Sequence, residues 1–239
     1  MIPNALFRAH YFRRVVIPTF QYLQKAFVEK VLPGFESVAE EADAVAGDAF
    51  ARFGQLPADD AFDMGDLAEQ AQEEGLAYYE GMTAARQSLQ SLLAAAVYHL
   101  FEQQLLEFYR RELLGHSHAQ DTDPKVLKTH LALDCLRDHG INCREFECWP
   151  VVDELRLVAN TVKHAYGDSS KELRERRPEM FQNPLIRNHV KFRPPSSAAV
   201  YTPLAGEDFY VTVDDLERYF AAVLEFLARL ANELENQGR

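Results

Sequence analysis

The stretch LQSLLAAAVYHLFEQQLLEF, Leu89–Phe108, decides the fold class. Leu89, Leu93, Val97, Phe101, Leu105 and Phe108 recur at spacings of three and four, keeping one face apolar for about five turns. That is the period of a helix laid on a core. The pattern extends over 67–114, where Gly75 and Gly81 predict a division into two helices. Upstream, Phe12, Val16, Phe20, Leu23, Phe27 and Val31 form a similar stripe. Pro18 predicts a kink in that rod, because proline removes a hydrogen bond and crowds the preceding turn. Pro33–Gly34 predicts its end. A weaker, Ala-rich and acidic helix over Phe35–Phe53, packing Val38, Val45 and Phe53, leads into a connection from Gly54 to Asp66.

Downstream, Asp123 is placed to cap a helix Pro124–Asp138 that stops at Gly140. Trp149–Pro150 opens another, running to about Ala165. Residues 178–212 change character, since Pro178, Pro184, Pro194 and Pro195 break any regular helix. Within them, Ala198–Pro203 and Phe209–Thr212 flank Ala205–Asp208 and predict a short β-hairpin. Thr212 and Asp215 have the spacing of a capping box, opening a last helix from Val213 to about Leu234 with a Leu216, Phe220, Val223, Leu227 core stripe. Alternating strand–helix units are absent, which excludes a doubly wound sheet. The expected architecture is all-α. It is one helical domain over 1–239, a bundle of five to seven helices with an irregular, β-hairpin insert at 178–212 before the last helix.

At 239 residues, 47% of them hydrophobic and 26% charged, the chain has the balance of a globular protein with a substantial core. Its longest apolar run, Leu92–Val97 on to Leu100–Phe101, is interrupted by His99 and too short to span a bilayer. The first residues interleave apolar side chains with His and Arg and lack a small-residue cleavage site. Three cysteines, Cys135, Cys143 and Cys148, argue against a disulfide framework. A cytoplasmic protein with reduced thiols and no membrane partner is the expectation.

The net charge of −12 is unevenly spread. Residues 36–80 carry thirteen acids against Arg52 alone, whereas 163–193 carry eight Lys/Arg against four acids. Such runs are either solvated faces or two surfaces for opposite partners. The acidic region offers a site for a basic protein partner, in an interaction or antitoxin-like role.

The basic region begins in DELRLVANTVKHAYGDSSKELRERRPEMF, Asp153–Phe181. At 100° per residue, Leu155, Ala159 and Val162 share one side of the helix with Val151 and Val158. Asp153, Arg156, Asn160, Lys163 and His164 fall on the other. Asn is a poor helix former, so Asn160 has either a hydrogen-bonding duty or mere tolerance. The imidazole of His164 is suited to proton transfer near neutral pH. Arg156 and Lys163 are suited to holding a phosphate. Cleavage of RNA through its own 2′-hydroxyl needs little more, and needs no metal or other cofactor. The alternative is a polar solvent face whose basic last turn complements the helix dipole. After the helix, Gly167 can take a left-handed conformation, and Asp168 or Ser169 can cap a short helix Lys171–Arg177. That hinge would bring Lys171, Arg174 and Arg177 close to His164 as substrate-binding groups. The competing reading pairs Arg174–Arg177 with Glu172 and Glu175 at the surface.

A polar-faced helix bearing Asn-x-x-x-His within an all-helical chain resembles the HEPN superfamily. Its members are helical-bundle domains, many acting as metal-independent ribonucleases in toxin–antitoxin, abortive-infection and CRISPR systems. The resemblance implies RNA as substrate, a role in antiviral defence or stress, and a homodimer in which two motifs meet at one site. It covers about sixteen residues plus general helicity, and its motif is short. Asn160 matches the family's polar position and His164 its histidine; the family's Arg position is Ala159. Arg156, one turn earlier, is the nearest substitute. Either Arg156, Lys163 or a basic residue of 171–177 takes over the phosphate, or the domain binds without cutting.

Other clusters carry less. His116, His118, Asp121 and Asp123 read as a polar linker rather than a metal site. Cys135, His139, Cys143 and Cys148 lack a paired C-x-x-C and read as buried thiols. His99, Glu102 and Gln103, on the polar side of the long helix, are candidates to line one cavity with His164.

Overall fold

The computed structural model describes residues 2–55, 63–115, 122–184, 199–204 and 207–238. All regular structure among them is helical: α1 (Ala5–Tyr11), α2 (Ile17–Ala26), α3 (Val38–Phe53), α4 (Met64–Phe108), α5 (Thr129–Asp138), α6 (Trp149–His164), α7 (Asp168–Arg176) and α8 (Val213–Gly238). Helix α8 runs through the middle of the bundle, with α1, α2, α4 and α6 packed around it. Its expected stripe, Leu216, Phe220, Val223 and Leu227, is buried. At the centre, the Phe226 ring meets Phe101 of α4 edge-on at 4.9 Å and Phe146 at 5.3 Å. The capping box forms as its spacing requires. The Thr212 hydroxyl donates to Asp215 Oδ2 at 2.7 Å and accepts the Asp215 N–H at 3.1 Å.

Pro18 is absorbed by a change of pitch. The five residues Phe12–Val16 form a wider π turn, in which the Ile17 N–H reaches back to the Phe12 carbonyl. That gives the ring of Pro18, in the first turn of α2, space that a regular α turn would deny it. Similar π turns follow α2 (Phe27–Val31) and α4 (Tyr109–Leu113). A buried ion pair, Arg8 to Glu112 at 2.6 Å, ties the first rod to the second of these turns.

Helix α4 is continuous over 45 residues, roughly 67 Å at 1.5 Å per residue, and the expected division at its glycines does not occur. Gly75 instead permits close packing. A Cβ there would lie 2.7 Å from the Ala42 carbonyl oxygen and 2.9 Å from Ala46 Cβ of α3. In the first half of α4 only Leu67, Ala71 and Gly75 are buried, a seam against Val38, Ala42 and Ala49 of α3. None of these residues joins the main core. The acidic region is therefore a two-helix arm with a thin seam of small side chains, and the Leu89 end of the long stripe is exposed.

Two other local expectations change. Asp123 does cap, accepting the Lys125 N–H at 2.9 Å, but only for a short 3-10 turn over Pro124–Val126. The α-helix starts afresh at Thr129. The predicted β-hairpin is not formed among the described residues of 199–212. The Asp208 carboxylate takes the Tyr201 and Thr202 amides at 2.6 and 3.0 Å, and the Tyr210 N–H goes to the Met180 carbonyl at 2.7 Å. Amides engaged in this way are lost to a strand ladder. Ala198, Ala205 and Gly206 of that expectation lie outside the described residues.

Candidate functional site

Helix α6 faces two ways. Leu155, Val158, Ala159 and Val162 are buried, while Asp153, Arg156 and Asn160 are half-buried and Lys163 and His164 exposed. Ala159 is 0% exposed, so the position matching the family arginine points into the core and could not hold a guanidinium toward solvent. Arg156 does lie on the polar face, but its Nε donates to Asp153 Oδ1 at 2.8 Å. It also lies eight positions before His164, with seven residues between, roughly 12 Å along the axis. The side chains of Asn160, Lys163 and His164 make no hydrogen bond or ion pair with another described residue. They form a free polar patch on the last turn, where the helix dipole favours cations.

The connection to α7 differs from expectation. Gly167 is extended, with φ −175°, and caps α7 by exchanging two 2.9 Å hydrogen bonds with the Ser170 hydroxyl. The positive φ falls on Ala165 instead, at φ 56° and ψ −121°. An L side chain adopts that region at a cost of about 1–3 kcal/mol. Ala165→Gly is therefore expected to raise stability by about 1 kcal/mol, after allowing for glycine's freer unfolded chain. A lowered urea midpoint would contradict this.

Helix α7 folds back along α6, which separates the expected substrate-binding cations Lys171, Arg174 and Arg177. Lys171 stays near the corner, 3.6 Å from Asp168, with its ammonium 5.2 Å from the Tyr166 ring centre. The Arg174 guanidinium lies over the Phe181 ring, 4.0 Å from its centre. Burial pushes its guanidinium pKa down, against nearby Asp208 and Tyr166, which raise it. Arg176 pairs with Asp153 at 2.9 Å. Arg177 is not near His164. It joins a largely buried network at the other end of α6, 2.6 Å from Glu154 and 2.7 Å from Asp215. Tyr219 and Arg218 also donate to Glu154, and Arg177 to Glu179. This removes Arg177 from any substrate.

His99 and Glu102 are engaged with each other, and Glu102 with α5. Glu102 accepts from Thr129 of α5 at 2.7 Å and Tyr98 at 3.3 Å, and His99 Nδ1 lies 3.4 Å away. From α6, the Arg156 charge acts on the buried Tyr98 hydroxyl. A cleft of about 560 Å³ opens between the 140–146 turn and α8, lined by Asn142, Glu145, Arg229 and Glu233 among others. None of the expected site residues lines it. The described residues hold no group of three or more His, Cys, Asp or Glu placed to ligate a metal. Of the loop cluster, His116, His118 and Asp121 lie outside the described residues. Cys143 and Cys148 are buried, and burial pushes their thiols up to about 12 and about 11. No described helix is long and apolar enough to cross a membrane.

The fold and site together define an all-helical bundle with a free polar patch at the end of one helix and an acidic arm built on another. No family model, curated protein or solved structure matches the chain.

Sequence reasoning missed two features. Glu154, one residue from the visible polar stripe, turns inward and anchors the buried network. Tyr166 is 56% exposed beside the free patch. Its signal was present in the sequence, as an aromatic between His164 and a run of cations.

Proposed function

We propose that this is a HEPN-like RNA-binding protein whose contact surface is the last turn of α6, with Lys163 on the phosphate, Asn160 positioning the substrate and His164 moving the proton of the 2′-hydroxyl. The observation that carries this reading is the patch itself. An imidazole and an ammonium, both exposed, and a half-buried amide are grouped at the end of α6 with side chains engaged by no described neighbour, whereas most of the surrounding cations are paired. Phosphate binding needs a cation without a carboxylate already on it. Lys163 meets that condition; Lys171 has the exposed Asp168 carboxylate at 3.6 Å, and Arg156, Arg176 and Arg177 are paired more closely. A homodimer and a place in a prokaryotic defence or stress system are part of the same proposal, on the strength of the resemblance.

The experiment compares wild type with His164→Ala and Lys163→Ala on labelled RNA, with chelator present. Cleavage by the wild type and a loss of about 100- to 10,000-fold in the His164 variant are expected. Lys163→Ala should weaken binding and reduce the salt slope by about one. RNA left intact, with the His164 variant binding it unchanged, would remove this reading.

A second reading rests on the arm. Helices α3 and the first half of α4 carry nine of the thirteen acids of 36–80, and stand apart from the main core. A protein that ignores RNA and associates with a basic partner at a rate that falls steeply with salt belongs to this second class.

A further inference from the structure

The corner between α6 and α7 displays a large aromatic ring that the bundle does not use. Tyr166 is 56% exposed and contributes nothing to the core. It is nevertheless placed by firm neighbours. Ala165 before it holds a single, costly backbone conformation, and Gly167 after it is clamped by Ser170. The ring has the Lys171 ammonium 5.2 Å from its centre and lies close enough to Arg174 to act on its charge. His164 and Lys163, at positions two and three residues earlier, present the free polar patch.

From this arrangement we propose that Tyr166 is a stacking platform for one base of a single-stranded nucleic acid, the phosphate of that nucleotide lying toward Lys171 and Lys163. The inference rests on the RNA reading of the α6 patch and specifies its substrate as single-stranded. Every base has a face that can stack on a tyrosine ring, and a flanking cation adds to the attraction. A base inside a duplex is already stacked and paired, so it cannot also stack on a side-chain ring. An exposed ring fixed by its backbone also loses little freedom when a base settles on it.

The test uses the full chain with a short labelled single-stranded RNA and a blunt duplex of the same length, followed by fluorescence anisotropy across salt concentrations. Tighter binding of the single strand is expected. Tyr166→Ala should weaken it about 5- to 150-fold, the effect of losing one stacked base, with the salt slope unchanged because no phosphate contact is lost. Tyr166→Phe, which keeps the ring, should bind nearly as wild type. Equal binding of strand and duplex, or an alanine variant as tight as wild type, overturns the stacking role while leaving the RNA reading standing. A wild type that binds neither RNA overturns both.

Discussion

Arg177→Ala is expected to lower the unfolding free energy by about 3 kcal/mol, the low end of the range for breaking a buried pair. The Glu154 and Asp215 side chains are 10% and 8% exposed, and Arg177 spans them at 2.6 and 2.7 Å. Removing it strands two carboxylates in a poorly hydrated site. Tyr219 and Arg218 still serve Glu154, and Thr212 still serves Asp215, which keeps the cost from the top of the range. An exposed pair would cost under about 1 kcal/mol, so a loss that small would show the network to be surface-like.

The pH dependence gives a second readout of the same network. Burial alone would raise the Asp215 carboxyl, but hydrogen bonds from Thr212 and Arg177 outweigh it and hold its pKa below the ordinary value. A depressed carboxyl stabilises the fold above the unfolded pKa of about 4, and that contribution disappears as pH falls through the folded value. Tyr219 behaves oppositely. Burial and then Glu154 hold its hydroxyl pKa well up, so its contribution is complete below the unfolded pKa of about 10 and is lost at higher pH. Urea midpoints of wild type and Arg177→Ala should therefore differ most between about pH 5 and 9, and converge in acid as Asp215 takes up its proton. A gap unchanged from neutral pH to pH 3 would exclude the Arg177–Asp215 pair as its source.

Phe226→Ala is expected to cost about 3–5 kcal/mol, measured by urea unfolding. The side chain is 0% exposed, and its loss leaves a hole where α4, the start of α6 and α8 converge. Its rings of contact, Phe101 at 4.9 Å, Phe146 at 5.3 Å and Trp149 at 6.2 Å, include two edge-on pairs, each worth about 0.5–1.5 kcal/mol beyond burial. Phe50→Ala is the control. That ring is 41% exposed on the arm, outside the main core, and its loss should stay within about 0.5 kcal/mol. Equal costs for the two would mean that the arm and the bundle share one core.

The helices of this protein were readable from spacing because a helix chooses its buried face locally. Phe12, Val16, Phe20 and Phe27 are buried as their period requires, and the Thr212–Asp215 cap needs only three residues of chain. The polar stripe of α6 was legible for the same reason, and Lys163 and His164 do face outward. What spacing could not supply was partnership. Arg177 and Lys171 look alike as charges in one segment, yet α7 folds back so that one is locked between Glu154 and Asp215 while the other stays at the open corner. Gly75 reads as a helix breaker until α3 arrives within 2.7 Å of where its Cβ would be. The hairpin failed because Asp208 and Met180, distant or sideways in the chain, took the amides a ladder needed.

By itself, then, the amino-acid order determined the helical class, the two-faced character of α6 and the segregation of acid from base. Only the folded chain decided which cations are spent on carboxylates and which remain free to meet a ligand, because an ion pair depends on where two distant backbones put their side chains, and no local period encodes that.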